Sequence, residues 1–402
     1  MQQTTAIHPP TTLRGRDRLR AVLGAPGAPP LLVARTIGSL PVGMVGLGIV
    51  LLLRAHGRSY AIAGLVVGAY SLGVAGGQPV LGRLIDRLGM ERVLIPLALA
   101  FPAALVALIV AATQSGPPAL MLAFGLVCGS TLPPLGACMR AMWPVLVEGP
   151  GLRLAAFSID AVVQELAWIG GPPLLAGLVV LAGPAVALSV AAAAGGGGAL
   201  AFAFYARGRH VRSAVGAGAL RSAGVRRLLA MSVVLGAAFG SMEVSMPAFC
   251  ERHGARPAAG LMYAAIALGS ACGGAALSTR LVRAAPVHRL IVALSAYALL
   301  LLPMLVAPSL AVMAVFAFLS GAPIAPAFTG TYVLLDRFGV AGAGTETFAW
   351  NSAAIFVGAA AGNALGGVLI ASAGGYRSSL TLAAALAIAA ALVGVRQRRR
   401  LA

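Results

Sequence analysis

Twelve apolar runs of about twenty residues, separated by short polar or Gly/Pro turns, restrict this chain more than any other feature. They fall at 30–53, 60–82, 92–113, 117–139, 154–182, 184–206, 227–249, 257–279, 287–307, 309–335, 345–373 and 377–396. An α-helix needs about twenty apolar residues to cross the hydrocarbon core of a bilayer. Lipid offers no partner to an open backbone N–H or C=O, so spanning segments must be helices or closed barrels. Runs of this length predict helices. The expected fold class is an all-α membrane protein of twelve transmembrane helices. Composition agrees: 59% of the residues are hydrophobic and 10% are charged, against about 25% charged in a soluble domain.

The formal charge of +19 raises the question of a nucleic-acid partner, and its distribution answers it. All 29 basic residues are arginine. Counted with the N-terminus inside, 23 arginines fall in cytoplasmic segments and five in outer loops (Arg54, Arg58, Arg252, Arg256 and Arg377), with Arg35 inside the first run. Such a bias sets membrane orientation, so both termini are expected in the cytoplasm and anionic lipid headgroups are the natural partner. No basic groove with interleaved aromatics exists outside the runs, so no nucleic-acid partner is expected. A chain without lysine has no Walker A loop and no Schiff-base chemistry. Cys128, Cys138, Cys250 and Cys272 lack metal-ligand spacing and read as small hydrophobes. No metal, cofactor or ATPase subunit is implied.

The chain divides into a basic tail (1–29), six runs (30–206), an arginine-rich linker (207–226), six more runs (227–396) and a basic tail (397–402). The halves repeat. Gly64, Gly73, Gly77 and Arg87 recur 196 positions later as Gly260, Gly269, Gly273 and Arg283. Gly129 and Pro134 recur at 192 as Gly321 and Pro326, and Phe157, Gly171 and Gly183 recur at 191 as Phe348, Gly362 and Gly374. Parallel six-helix repeats are a transporter plan with the substrate site between the halves. The small-xxx-small pairs Gly64/Gly68, Gly73/Gly77, Gly269/Gly273, Gly358/Gly362 and Gly362/Gly366 fit close helix packing. Pro133-Pro134 and Pro323 with Pro326 stand at repeat-equivalent places and read as kinks lining a cavity.

Between the second and third runs stands Gly82-Arg83-Leu84-Ile85-Asp86-Arg87-Leu88-Gly89-Met90-Glu91-Arg92. This clasp resembles the signature loop G-x-L-a-D-r-x-G-r-k of the major facilitator superfamily. Gly82, Leu84, Asp86, Arg87 and Gly89 match it, Met90 and Glu91 depart from it, and Arg92 keeps one of its basic residues. The resemblance implies two pseudo-symmetric six-helix bundles and makes Asp86 the aspartate that holds a cytoplasmic gate, by pairing with an arginine or a helix N-terminus. In the second half Val282 replaces that aspartate, which implies an asymmetric gate. Gly171-Pro172 resembles the exporter signature in the family's fifth helix, although the following glycine, Gly177, is single and one residue late. Gly125 stands in place of the arginine of the drug:proton antiporters' fourth helix.

Carboxylates inside a membrane are costly and default to functional candidates. The fifth run carries Asp160, Gln164, Glu165 and Trp168. Asp160 and Gln164 share a helix face, whereas Glu165 lies about 140° from Asp160 at 100° per residue. Arg140 is the candidate cation for Asp160, which leaves Glu165 as the expected proton carrier, with Glu243 as its rival. Arg35 lies near the start of the first run, where it could snorkel to the surface. Arg35, Tyr70, Gln78, Gln164, Trp168, Trp350 and Asn351 are candidates for a substrate cavity suited to a moderately hydrophobic small molecule. The expected function is secondary active transport, as a proton-coupled exporter of a drug-like molecule or metabolite. It would act as a monomeric, multi-pass protein of the cell membrane. An importer or facilitator, or a receptor on the same fold that does not transport, are the alternatives.

Overall fold

The computed structural model describes residues 15–58, 60–208, 218–255, 258–280, 285–341, 343–370 and 375–401. A short helix, α1 (Gly15–Leu23), precedes the first run. Gly27, at φ +86°, turns the chain into α2 (Ala28–Ala55), whose first turn holds prolines, where a missing N–H costs nothing. The remaining first-half helices are α3 (Tyr60–Leu88), α4 (Met90–Thr113), α5 (Pro118–Thr131), α6 (Leu135–Leu146), α7 (Pro150–Ala182) and α8 (Pro184–Tyr205). The second half holds α9 (Ala223–Arg252), α10 (Ala259–Arg280), α11 (Pro286–Leu301), α12 (Leu310–Gly321), α13 (Ile324–Phe338), α14 (Gly344–Leu369) and α15 (Gly375–Leu401). Eleven spans among the described residues are long and apolar enough to cross a membrane, counting α5–α6 and α12–α13 as one each. The 33-residue α7 supplies the twelfth. Leu72, Leu99, Val180, Leu181 and Val368 are exposed on the outside, which suits a surface wetted by lipid.

Inside each half the helices meet at glycines, and the contacts repeat residue for residue. A Cβ on Gly73 would strike the Leu126 carbonyl and one on Gly77 the Ser130 carbonyl, so α3 lies backbone to backbone on α5. In the second half Gly269 meets the Phe318 carbonyl and Gly273 the Ala322 carbonyl, joining α10 to α12. From the other side Gly129 faces the Tyr70 carbonyl and Gly321 the Ile266 carbonyl. All three pairs keep the offsets of 196 and 192 read from the sequence. The glycine pairs therefore pack helices within a half. Gly68 meets nothing, and the side-chain environment of position 64 lies outside the described residues.

On α14, a Cβ at Gly358 would strike the Val233 carbonyl of α9 and lie 2.9 Å from the Ala237 nitrogen, whereas at Gly367 nothing lies within 4 Å. Backbone cannot rotate away as a side chain can. Gly358→Val is therefore expected to destabilise the protein by about 3 kcal/mol, and Gly367→Val by less than about 0.5 kcal/mol. Thermal unfolding of the two variants in the same detergent measures the contrast.

The fourth and tenth spans are broken where the sequence led us to expect kinks. Leu132–Pro134 interrupt α5 and α6, and a turn at Ala322–Pro323 separates α12 from α13. Pro326 differs from expectation: it sits in the first turn of α13, beyond the break, where proline needs no partner. The fourth span also runs on to Leu146, beyond the expected end at 139. Arg140 ended the apolar run in the sequence, but Met142 and Trp143 continue the helix and are buried. Arg140 accordingly lies inside the protein rather than at its surface.

A cavity between the halves above a closed face

One end of the bundle, the arginine-rich face, carries Arg83, Arg87, Arg92, Arg153, Arg207 and Arg337. At this face the halves are clamped by the clasp. Gly89, at φ +92°, makes the turn from α3 into α4, a backbone conformation that favours glycine. Asp86, 7% exposed, reaches the N-terminus of α14 in the other half. Its carboxylate accepts from the Thr345 N–H at 3.0 Å and the Glu346 N–H at 2.8 Å. These are donors that an α-helix leaves open in its first turn, and a negative charge there also meets the helix dipole favourably. Beside it Arg83 donates to Glu346 at 2.8 Å. Gly82 permits the approach, because a Cβ there would lie 2.7 Å from that of Ala349. Arg87 and Arg92 are exposed. Glu91, one of the two departures from the signature, pairs with Arg207 at 2.6 Å. That hydrogen bond raises the Arg207 pKa above its ordinary value.

Val282 and Arg283, where the second half would repeat the clasp, lie outside the described residues. A different pair joins the halves nearby: Arg153 of α7 and Asp336 of α13, at 3.5 Å and partly exposed. A pair so exposed contributes about 1 kcal/mol at most, so Asp86 and its two amides form the firmer contact.

Deeper in, the closure becomes aromatic and then ionic. Phe157 of the first half packs against Tyr332 and Phe348 of the second, with ring centroids 6.3 and 5.9 Å apart. Above them Asp160 holds two arginines: Arg35 Nε lies 3.2 Å from one oxygen and Arg140 Nη1 donates to the other at 3.1 Å. Arg35 also donates to Gln164 Oε1 at 3.0 Å. Arg35 is fully buried, so it does not snorkel; Asp160 draws it inward. Arg140 crosses to the second half, donating to the Tyr332 hydroxyl at 3.2 Å and the Ser352 hydroxyl at 3.1 Å. Its guanidinium lies 4.6 Å from the centre of the Tyr332 ring.

Over this layer opens a cavity of about 480 Å3. Arg140, Tyr332, Asn351 and Ser352 line its base, and Gln78, Gln164 and the prolines 133, 134, 172 and 173 form the first-half wall. Phe239, Met242, Glu243, Tyr263, Phe328 and Phe356 form the other wall. Gln78 donates to the Leu132 carbonyl at 3.0 Å, a group that the break before α6 leaves outside the regular helix bonding. Asn351 accepts from Ser232 at 2.7 Å. Glu243 hydrogen-bonds the Asn363 side chain and forms no ion pair among the described residues.

Several candidates lie elsewhere. Tyr70 is buried between α3 and α5, because Gly129 packs on its carbonyl. Trp350 donates to Glu346 at 3.4 Å and so belongs to the clamp. Gly171 packs against the backbone of Gly43 on α2, while its neighbour Pro172 faces the cavity. The side chains of Glu165 and Trp168 lie outside the described residues. The sequence reading missed Arg83, Glu346, Tyr332, Ser352, Arg153 and Asp336. Of these Glu346 carried a signal, as an acid in the first turn of a helix after a Gly-rich loop.

Solved structures place this arrangement. The human organic anion transporter MFSD10 (TETRAN) is 19% identical, with 96% of this chain and 100% of that one aligned at a TM-score of 0.70. A bacterial homologue of the iron transporter ferroportin, in an outward-facing state, is 15% identical over 96% and 100% of the two chains, at 0.74. The Escherichia coli fucose:proton symporter FucP is 13% identical over 91% and 97%, at 0.69. At these identities the likeness concerns the fold. No curated protein sequence matches the chain. The family model of the Major Facilitator Superfamily matches residues 31–345, and the chain belongs to that superfamily.

Proposed function

We propose that the chain is a secondary active transporter of the cell membrane that exports a small amphiphilic molecule in exchange for protons by alternating access. The observation that carries the reading is the cross-half closure. Asp86 on the amides of α14 and Arg140 on Tyr332 and Ser352 join opposite halves, beneath a cavity that both halves line. Contacts of this kind can break and re-form as units when the halves rock about a central site. The cavity has the size of a drug-like ligand site, with a mostly apolar wall and few polar groups. The arginine bias supports an orientation with the arginine-rich face, both termini and the 207–226 segment in the cytoplasm.

Two measurements test this reading. In a Cys-less background on intact cells, an impermeant thiol reagent is expected to label His56→Cys and to spare Gly216→Cys. The reverse pattern would overturn the orientation. In a pump-deficient host, expression is expected to lower the accumulation of at least one amphiphilic compound severalfold, and the effect should disappear when the proton gradient is collapsed. Raised accumulation would mark an importer.

A further inference from the structure

Among the described residues, the cluster at the base of the cavity does not balance in charge. Arg35 and Arg140 share one carboxylate, that of Asp160, with side-chain exposures of 0, 2 and 0% respectively. No other carboxylate among the described residues meets either guanidinium, which leaves one positive charge in excess. Donors exceed acceptors too. Arg35 Nη1 and Arg140 Nε are buried without a hydrogen-bond partner. The other bonds of Arg140 go to two neutral hydroxyls, Tyr332 and Ser352. An uncompensated buried charge is strongly unfavourable, and this one borders the cavity.

We infer that the cavity takes organic anions, with a carboxylate or sulfonate head on Arg140 and an apolar body along the wall; this rests on the transport reading above. A guanidinium meets a carboxylate through paired, charge-assisted hydrogen bonds, which are shorter and stronger than those to a neutral hydroxyl. An anionic head on Arg140, which lines the cavity, supplies the missing charge. Gln164 lines the same cavity and already accepts from Arg35, so its amide links the second guanidinium to the site. Glu243 stands apart from this end. It lies twenty residues into α9, about 30 Å along the helix, whereas Asp160 lies ten residues into α7, about 15 Å. The apolar wall around Phe239, Phe328 and Phe356 selects an organic anion over an inorganic one. An anion on Arg140 also competes for the bonds to Tyr332 and Ser352, which join the halves, so its arrival loosens the closure.

The test uses the purified full-length protein and three probes of nearly equal size: 1-naphthoate, 1-naphthamide and 1-naphthylmethylammonium. Binding is measured in detergent and flux in proteoliposomes. The wild type is expected to bind naphthoate at least tenfold more tightly than either other probe. Arg140→Gln should lose that preference, binding naphthoate no more tightly than the amide. Arg140→Lys, which retains the charge without the paired donors, should fall between. If the ammonium or the amide binds as tightly as naphthoate, or if none of the three binds, the proposal is overturned. If naphthoate binds selectively yet never crosses the vesicle membrane, the anion site stands and the transport reading falls. If the ammonium is carried instead, transport stands and the anion site falls.

Discussion

Asp86→Asn is expected to slow transport at least tenfold while leaving the protein in the membrane at normal levels. The carboxylate receives two N–H groups of α14 at 3.0 and 2.8 Å. Hydrogen bonds to a charged group contribute about 1.5–3 kcal/mol each. An asparagine can accept one of them through its carbonyl oxygen, but turns its own NH2 toward the other donor and brings no charge to the helix terminus. Losing even about 1.4 kcal/mol shifts the balance of the two gating states tenfold. The cycle then stalls in the state with the arginine-rich face open. The variant should show this directly, because Arg87 and Arg337 are exposed on that face in opposite halves. Spin labels at Arg87→Cys and Arg337→Cys in a Cys-less background should report a longer mean distance once Asp86 is changed. Unchanged transport with an unchanged distance would show that Asp86 does not hold the gate.

The features legible in the sequence were those written locally or repeated. Gly73 and Gly269 could be aligned because both halves solve the same packing problem, and the structure places them on equivalent carbonyls. Length and hydropathy located the spans, since a bilayer imposes both. Hydropathy failed at the end of the fourth span, where one arginine interrupts an apolar run that Met142 and Trp143 resume. It failed again for Arg35, whose position suggested the surface but whose partner lies 125 residues away. Contacts between halves left little trace. Arg83 and Glu346 are 263 residues apart and Arg140 and Ser352 are 212 apart. Neither half's sequence states which residue of the other it will meet. The proposed charge imbalance of the site could not be read before Arg35 and Arg140 were seen on one carboxylate.

The largest effect is expected at Glu243, where Glu243→Gln should abolish proton-driven efflux and spare substrate exchange. A proton carrier must reach the cavity, lack a permanent cation and survive in both charge states. Glu243 lines the cavity and forms no ion pair among the described residues. The Asn363 side chain serves it as a hydrogen-bond partner. Asp160 fails the second condition, because Arg35 and Arg140 hold it. Holding a carboxylate ionised in an apolar wall is costly. Taking up a proton removes that cost when the cavity closes, and water entering on the other side lets the proton leave. One proton moving inward through 100 mV releases about 2.3 kcal/mol, which sustains roughly a fiftyfold substrate gradient at about 1.4 kcal/mol per decade. Glutamine keeps the hydrogen bond to Asn363 and cannot titrate, so folding is preserved while the driving force is disconnected. Glu165, the carrier expected from the sequence, is the competing assignment. Both glutamine variants are therefore compared in proteoliposomes, with and without a pH gradient. If Glu243→Gln still concentrates substrate against its gradient and Glu165→Gln does not, the proton travels on Glu165.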